Sequence, residues 1–324
     1  MFFLLLLFVT LIAFLAFLYL LSLRKVYSIK GKNVLITGGS SGIGKCLGID
    51  AIKRGAASVT ILARNKEKLK QAKSEIESFI STSSNQKVHT IAGDVSNQNI
   101  ASRILESVSD NGHINVLINC AGITHTAPLV DTPADKYEEV LRVNVLGYVY
   151  PTKALLPAMI QRREGRVVFV SSQAGQLGLH GYTAYSASKY ALRGLAETLN
   201  MEVAAHNVKV CISFPPDTNT PQLQAELGER DEIQKELASF GTVFEPESIS
   251  QDIWYGVERK KFQITHGFDG FFVGVMTSGM SPVHCCWDAV VQVLLMSVFR
   301  AASFVYLFLF YRAVKKFSMS KKTN

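Results

Sequence analysis

Three side chains are spaced so that they could act together on one carbonyl group. Tyr185 and Lys189 lie four residues apart, one turn along a single face if the Ala- and Leu-rich stretch from Tyr185 to Leu199 is helical. An ammonium beside a phenol favours the phenolate and draws the tyrosine pKa down from about 10, which makes an acid/base of an otherwise inert group. Ser172 follows the β-branched run Val167 to Val170 and precedes Tyr185 by thirteen residues, with Gly175, Gly178 and Gly181 between them. A hydroxyl at the end of that strand can reach the same point in space as the phenol. Such a trio suits protonation of a carbonyl oxygen while hydride arrives at its carbon. Taken alone, the Tyr and Lys are equally an ordinary amphipathic pair and Ser172 a turn cap, so the surrounding elements decide.

Those elements alternate. Asn33 to Thr37 reads as a buried strand that runs into Thr37-Gly38-Gly39-Ser40-Ser41-Gly42-Ile43-Gly44 and then a helix to about Arg54. Glycines there permit a tight turn and close approach of backbone to a pyrophosphate, and the helix N-terminus offers free N–H groups to the anion. Gly38, Ser40, Ser41, Gly42, Ile43 and Gly44 are therefore candidate cofactor contacts. A second strand, Ser58 to Ala63, ends at Arg64, where a site selective for NAD would usually show Asp or Glu. A cation there suits a 2′-phosphate, so the expected cofactor is NADPH/NADP. Strands from Val88 to Ala92 and Val116 to Asn119 follow, leading into Asp94-Val95 and Cys120-Ala121-Gly122. A helix from about Thr132 to Met159 carries Asn144, a buried-type amide that needs partners. After the Tyr185 helix come a strand from Val208 to Phe214 and the turn Pro215-Pro216-Asp217-Thr218-Asn219-Thr220-Pro221. A polar, helical stretch from Gln222 to Phe240 fits a lid; a helix from Ser248 to Lys260 and a short strand from Phe262 to Thr265 complete the alternation. The pattern predicts an α/β fold with a doubly wound parallel sheet, a Rossmann-type domain over residues 31–267.

The T-G-x-x-x-G-x-G spacing from Thr37 to Gly44, together with Ser172, Tyr185 and Lys189, resembles the short-chain dehydrogenase/reductase family. The resemblance implies a catalytic set of Asn144, Ser172, Tyr185 and Lys189. Tyr185 would donate the proton, Ser172 orient the carbonyl, Lys189 lower the tyrosine pKa and hold the ribose, and Asn144 hold a water that connects the lysine to solvent. It further implies cofactor contacts from Asp94, Val95, Asn119, Ala121 and Gly122, and from Pro215 with Thr218 or Thr220 at the nicotinamide. Two positions depart from the family pattern: Cys120 stands where Asn is commoner, and Pro215-Pro216 where Pro-Gly is usual, which leaves the choice between the two threonines open. Within the family, Gln173 to Leu179, the Tyr-Ser-Ala-Ser-Lys run and the two apolar ends resemble members that reduce a long-chain lipid ketone at the endoplasmic reticulum. The substrate contacts would then be Ser172, Tyr185 and, for an amine beside the ketone, Asp217. A microsomal hydroxysteroid or retinol dehydrogenase and a cofactor-binding scaffold without turnover are the alternatives.

The ends concern a membrane. Phe2 to Leu23 is an uncharged apolar run of about 22 residues, about 33 Å as a helix, matching a bilayer core of about 30 Å. It reads as an uncleaved anchor (residues 1–24), since a signal peptide would be shorter, with a basic start and a better cleavage site. The net charge of +8 is concentrated beside the apolar ends. Arg24, Lys25, Lys30 and Lys32 follow the first run, and Arg312, Lys315, Lys316, Lys321 and Lys322 close the chain, leaving 25 basic against 26 acidic residues between. That distribution points to membrane lipids and away from nucleic acid. Val290 to Tyr311 is apolar apart from Gln292, Ser297, Arg300 and Ser303, so residues 268–324 are expected to be membrane-associated. Arg24 and Lys25 put the body in the cytosol. Lys321 and Lys322 match a cytosolic dilysine signal for the endoplasmic reticulum, which requires the C-terminus to return to the cytosol, as a hairpin whose first limb uses Phe271 to Val283 or as a helix in the interface. No His/Cys cluster has metal spacing, so no metal is expected, and a homo-oligomer is left open.

Overall fold

The computed structural model describes residues 26–320 and, ahead of them, 10, 12–14 and 16. The anchor expected over Phe2–Leu23 and the dilysine pair thus lie largely or wholly outside the described residues. Seven strands, β1 (Asn33–Thr37), β2 (Ser58–Ala63), β3 (Lys87–Ala92), β4 (Val116–Asn119), β5 (Gly165–Val170), β6 (Val208–Ser213) and β7 (Gln263–Ile264), form one sheet in the order β3-β2-β1-β4-β5-β6-β7. Every neighbouring pair is parallel. The central strands are apolar on both faces because helices cover both, and their alternation divides the core in two. Val34 and Ile36 of β1 pack with α1 (Gly42–Lys53), α2 (Lys66–Glu77) and α9 (Pro246–Arg259), around the fully buried Trp254. Leu35 faces the other layer, built from α3 (Ile100–Asn111), α5 (Gly147–Arg162) and α6 (Thr183–Glu202).

Strand order reverses between β1 and β4, so the crevice at their carboxyl ends is the place where a ligand finds loops diverging to either side. The connection there is tight: the Thr37 hydroxyl accepts from the N–H groups of Cys120 and Ala121, at 3.0 and 3.2 Å, locking the end of β1 to that of β4.

The single helix expected from Thr132 to Met159 is instead α4 (Ala134–Leu141), a π-turn over Arg142–Leu146, and α5. Inserting a π-turn rotates the helix beyond it, and such turns gather at functional sites. Here it carries Asn144. The expected lid is two short helices, α7 (Pro221–Leu227) and α8 (Glu232–Ala238). The second starts with a capping box between Asp231 and Gln234. Beyond β7, α10 (Gly267–Met276) is only ten residues long and α11 (Cys286–Ser320) thirty-five. A first hairpin limb through Val283 is therefore not formed, because α10 ends at Met276 and is about 15 Å long, half a bilayer core. Within α11, Cys286–Lys316 is long and apolar enough to cross a membrane, with mean hydropathy 2.1 and 6% of the most apolar stretch buried.

Candidate active site

One cavity of about 680 Å³ runs across the carboxyl ends of the strands. Its nucleotide end is built from backbone. Gly38 has φ +70°, and a Cβ there would stand 2.8 Å from the Cα of Ala121. A Cβ on Gly44 would collide with the carbonyl oxygen of Gly38. These glycines let the loop fold on itself and leave the N-terminus of α1 facing the cavity. Ser40, Ser41, Gly42 and Ile43 line it with them, as do Asp94, Val95, Ala121 and Gly122 at the ends of β3 and β4.

Arg64 lies at the carboxyl end of β2 with its side chain exposed and lining the cavity, and among the described residues no carboxylate pairs with it. Lys68, one turn into α2 and also exposed, joins it. Sequence reasoning missed Lys68, although Asn65 held the signal: its side chain caps α2 by accepting from the Lys68 N–H at 2.9 Å, which places Lys68 beside the strand end. Glu67 does not line the cavity.

Ser172, Tyr185 and Lys189 converge in the middle. Ser172 has extended backbone, and its hydroxyl oxygen accepts from the Ala174 N–H at 3.1 Å, so it caps a turn while its proton remains free to donate. Tyr185 and Lys189 share a face of α6, with the ammonium 5.6 Å from the phenol ring centroid. Lys189 is 4% exposed and donates to the Val170 carbonyl at 3.0 Å. It forms no ion pair among the described residues, and burial lowers its pKa to about 8. Burial pushes the Tyr185 pKa well above the ordinary phenol range, with only a hydrogen bond from Ser172 acting against it. The lowering of the phenol expected from Lys189 is not what dominates here: burial of Tyr185 outweighs it. Cys120, in the same buried region, is held as a neutral thiol, its pKa raised by burial to about 12.

Asn144 is fully buried in the π-turn. Its amide donates to the Ile123 carbonyl and the Ser188 hydroxyl and accepts from the Ile123 N–H, each at 2.9 Å. Both N–H groups are used, so the side chain ties α6 to the loop after β4 rather than presenting a donor to water. Asn119, expected at the cofactor, does not line the cavity: it turns into the core, where its amide donates to the Thr152 hydroxyl at 3.1 Å. Pro215, Asp217, Thr218 and Thr220 all line the cavity. The Thr218 hydroxyl donates to the Pro216 carbonyl at 2.9 Å, while Thr220 caps α7 and lies against Gly42.

The lid contributes a charged chain missed from sequence except for Asp217. The Tyr182 hydroxyl donates to Glu226 Oε1 at 2.5 Å, Arg230 donates to the same oxygen at 2.6 Å, and Arg230 pairs with Asp217 at 2.7 Å. Glu226 and Arg230 are buried, and Asp217 keeps a partly exposed carboxylate. Two acids and one base leave a net negative charge facing the cavity. His180 also lines it, 3.7 Å from Asp231, whereas His125 does not. Ser213, His266 and Asp252 form a hydrogen-bonded chain at 2.8 and 3.0 Å in the order of a hydrolase triad, but Ser213 and His266 are fully buried away from the cavity. They fasten β6 to the start of α10.

The arrangement suits a dinucleotide laid along the glycine loop and a ketone brought to Tyr185. The family profile described as short chain dehydrogenase matches residues 32–231. The chain belongs to the short-chain dehydrogenase family. Among curated relatives of this short-chain dehydrogenase, 3-ketodihydrosphingosine reductase of Bos taurus is 41% identical over 317 residues, covering 96% of this chain and 95% of that protein. A 3-dehydrosphinganine reductase of Danio rerio is 39% identical, covering 91% and 90%. Among solved structures, a short-chain type dehydrogenase/reductase from Mycobacterium ulcerans aligns with a TM-score of 0.65 at 25% identity, covering 72% of this chain and 84% of that one.

Proposed function

We propose that this short-chain dehydrogenase reduces 3-ketodihydrosphingosine to dihydrosphingosine with NADPH, at the endoplasmic reticulum membrane and with its catalytic body, residues 31–267, facing the cytosol. The observation that carries the substrate is the extent of similarity to the sphingolipid reductases. It covers 96% of the chain, whereas the family profile ends at residue 231, so the apolar C-terminal region that a generic family member need not share is included. Arg64 and Lys68 support NADPH over NADH, being two exposed cations that line the cavity at the end of β2, where a 2′-phosphate would lie. Lys189, buried and without a carboxylate partner among the described residues, fits a site completed by an anionic, hydroxyl-bearing cofactor.

When bound, the nicotinamide supplies hydride to the ketone carbon. Ser172 orients the carbonyl oxygen, and Tyr185 gives its proton to the developing alkoxide. The raised Tyr185 pKa keeps that proton in place at neutral pH, so the form at rest is the acid that reduction needs. Lys189 holds the ribose, and Asn144 fixes the loop after β4 against α6. The lid's excess negative charge, Asp217 included, faces the ammonium next to the ketone. Arg24 and Lys25 support a cytosolic body, and Lys321 and Lys322 retention in the reticulum. The test is NADPH consumption by the full-length protein in vesicles with ketosphinganine, a ketosteroid or retinal. Turnover of ketosphinganine above the other two is expected; preference for the steroid or retinal overturns the substrate, and no turnover of any overturns the enzyme.

A further inference from the structure

The cavity does not stop at the lid. Past Tyr185 it continues to α11, which lines it with Arg300, Ser303, Tyr306, Leu307 and Phe310, and to Phe272 of α10 opposite. The five α11 positions follow the i, i+3, i+6, i+7, i+10 pattern and so share one face of the helix. Phe272 packs against Tyr306 with ring centroids 5.8 Å apart, and Phe310 against Phe240 just past the lid helices at 5.6 Å. The opposite face carries Leu294, Val298, Val305 and Phe308, each at least 60% exposed and wholly apolar. Tyr306, Leu307 and Phe310 make the cavity side of α11 an apolar, largely aromatic wall, while the far side is open and apolar at Leu294, Val298, Val305 and Phe308. The one helix long and apolar enough to cross a membrane among the described residues therefore also borders the reaction cavity.

We propose that α11 is a wall of the substrate site: the alkyl chain of the ketone lies along its Arg300–Phe310 face, against Phe272, and enters from the bilayer without crossing water. The inference rests on the lipid ketone proposed above and adds where its chain goes. The physical gain is large, since passing a chain through water costs about fourfold in partition for each methylene exposed. A wall shared by cavity and membrane removes that step.

The test compares ketosphinganines of eighteen and eight carbons, with the full-length protein in phosphatidylcholine vesicles. Leu307→Trp fills the cavity face, and Val305→Trp adds the same bulk to the opposite face. Leu307→Trp should lower kcat/KM for the long ketone at least tenfold while leaving the short ketone and NADPH affinity within twofold, and Val305→Trp should change neither. Equal losses for both ketones, or equal effects of the two variants, overturn the proposal. A long ketone with a photoreactive diazirine at its chain end gives an independent reading on the unaltered protein: adducts within residues 300–310 or at Phe272 support it, and adducts confined to residues 31–267 overturn it. A wild-type enzyme that reduces neither ketone overturns the proposed substrate, and the chain's place with it; this result is distinguished because it needs no variant.

Discussion

The two ends of the cavity are made of different material. At the nucleotide end the lining is the glycine loop and the ends of β1, β3 and β4, fixed by the parallel ladder and by the Thr37 hydroxyl. At the lid end they are side chains from α7, α8, α10 and α11, held together by a small cluster of Ile233, Leu237 and Ala313 between α8 and α11 and by the rings of Phe272, Phe299 and Tyr306 between α10 and α11. The first end offers a ligand backbone N–H groups, and it tolerates few changes because one added methyl at Gly38 or Gly44 strikes backbone. The second reads its ligand through side-chain shape and charge, and it can be respecified without disturbing the sheet. Division of this kind lets one cofactor site serve many substrates.

The sharpest probe of that division lies where the ends meet. Tyr185→Phe should lower turnover by about 10²- to 10⁴-fold, the scale of a positioned general acid, while NADPH binding measured by calorimetry is retained. In the unaltered enzyme the raised phenol pKa predicts reduction that stays nearly level from pH 6 to 7, with loss only as Lys189 gives up its proton near pH 8. The reverse oxidation needs the phenolate, a fraction that grows about tenfold per pH unit below the pKa, and initial rates in both directions check this. Next in size is Arg64→Asp, at the end of β2, where an exposed cation lines the cavity. Exchanging attraction for repulsion at a phosphate should weaken NADPH about 10- to 100-fold and spare NADH, as read from the ratio of their dissociation constants. An unchanged ratio would assign the phosphate to Lys68 alone. The smallest effect belongs to the lid: Asp217→Asn leaves Arg230 paired with Glu226 and removes a partly exposed charge. It should raise KM for ketosphinganine about two- to fivefold, and less for an analogue without the amine. Equal effects on the two would make Asp217 a fastening for the lid.

Legibility in the sequence divides along the same line. β1, β2 and β4 begin and end where their apolar, β-branched runs do, because strands buried on both faces have no other composition open to them. The glycine loop and the Tyr185–Lys189 spacing are local patterns, and the structure brings those residues together around one cavity. The π-turn at Arg142–Leu146 left no such mark, since the slip is held by Asn144 reaching Ile123 and Ser188 at distances in sequence of 21 and 44 residues. Asn119 was misplaced for a related reason: its identity marks a strand end but not which way the last side chain turns. The fate of the Tyr185 proton was also hidden, because four-residue spacing shows that Lys189 is near and burial decides what its charge can do. The inward face of α11 was illegible altogether, as nothing in an apolar run says what will stand opposite.

The solitary charge of Lys189 bears on the life of the protein between catalytic cycles. A buried cation with no counter-ion among the described residues weakens the empty fold, and any ligand that binds the folded chain alone stabilises it, by about 2.7 kcal/mol at a hundredfold excess over its dissociation constant. The nucleotide that powers the reaction is on this reading also what protects the enzyme from unfolding and proteolysis. Its steady-state abundance should then track the supply of reducing equivalents, falling when they are scarce even though the rate of synthesis is unchanged.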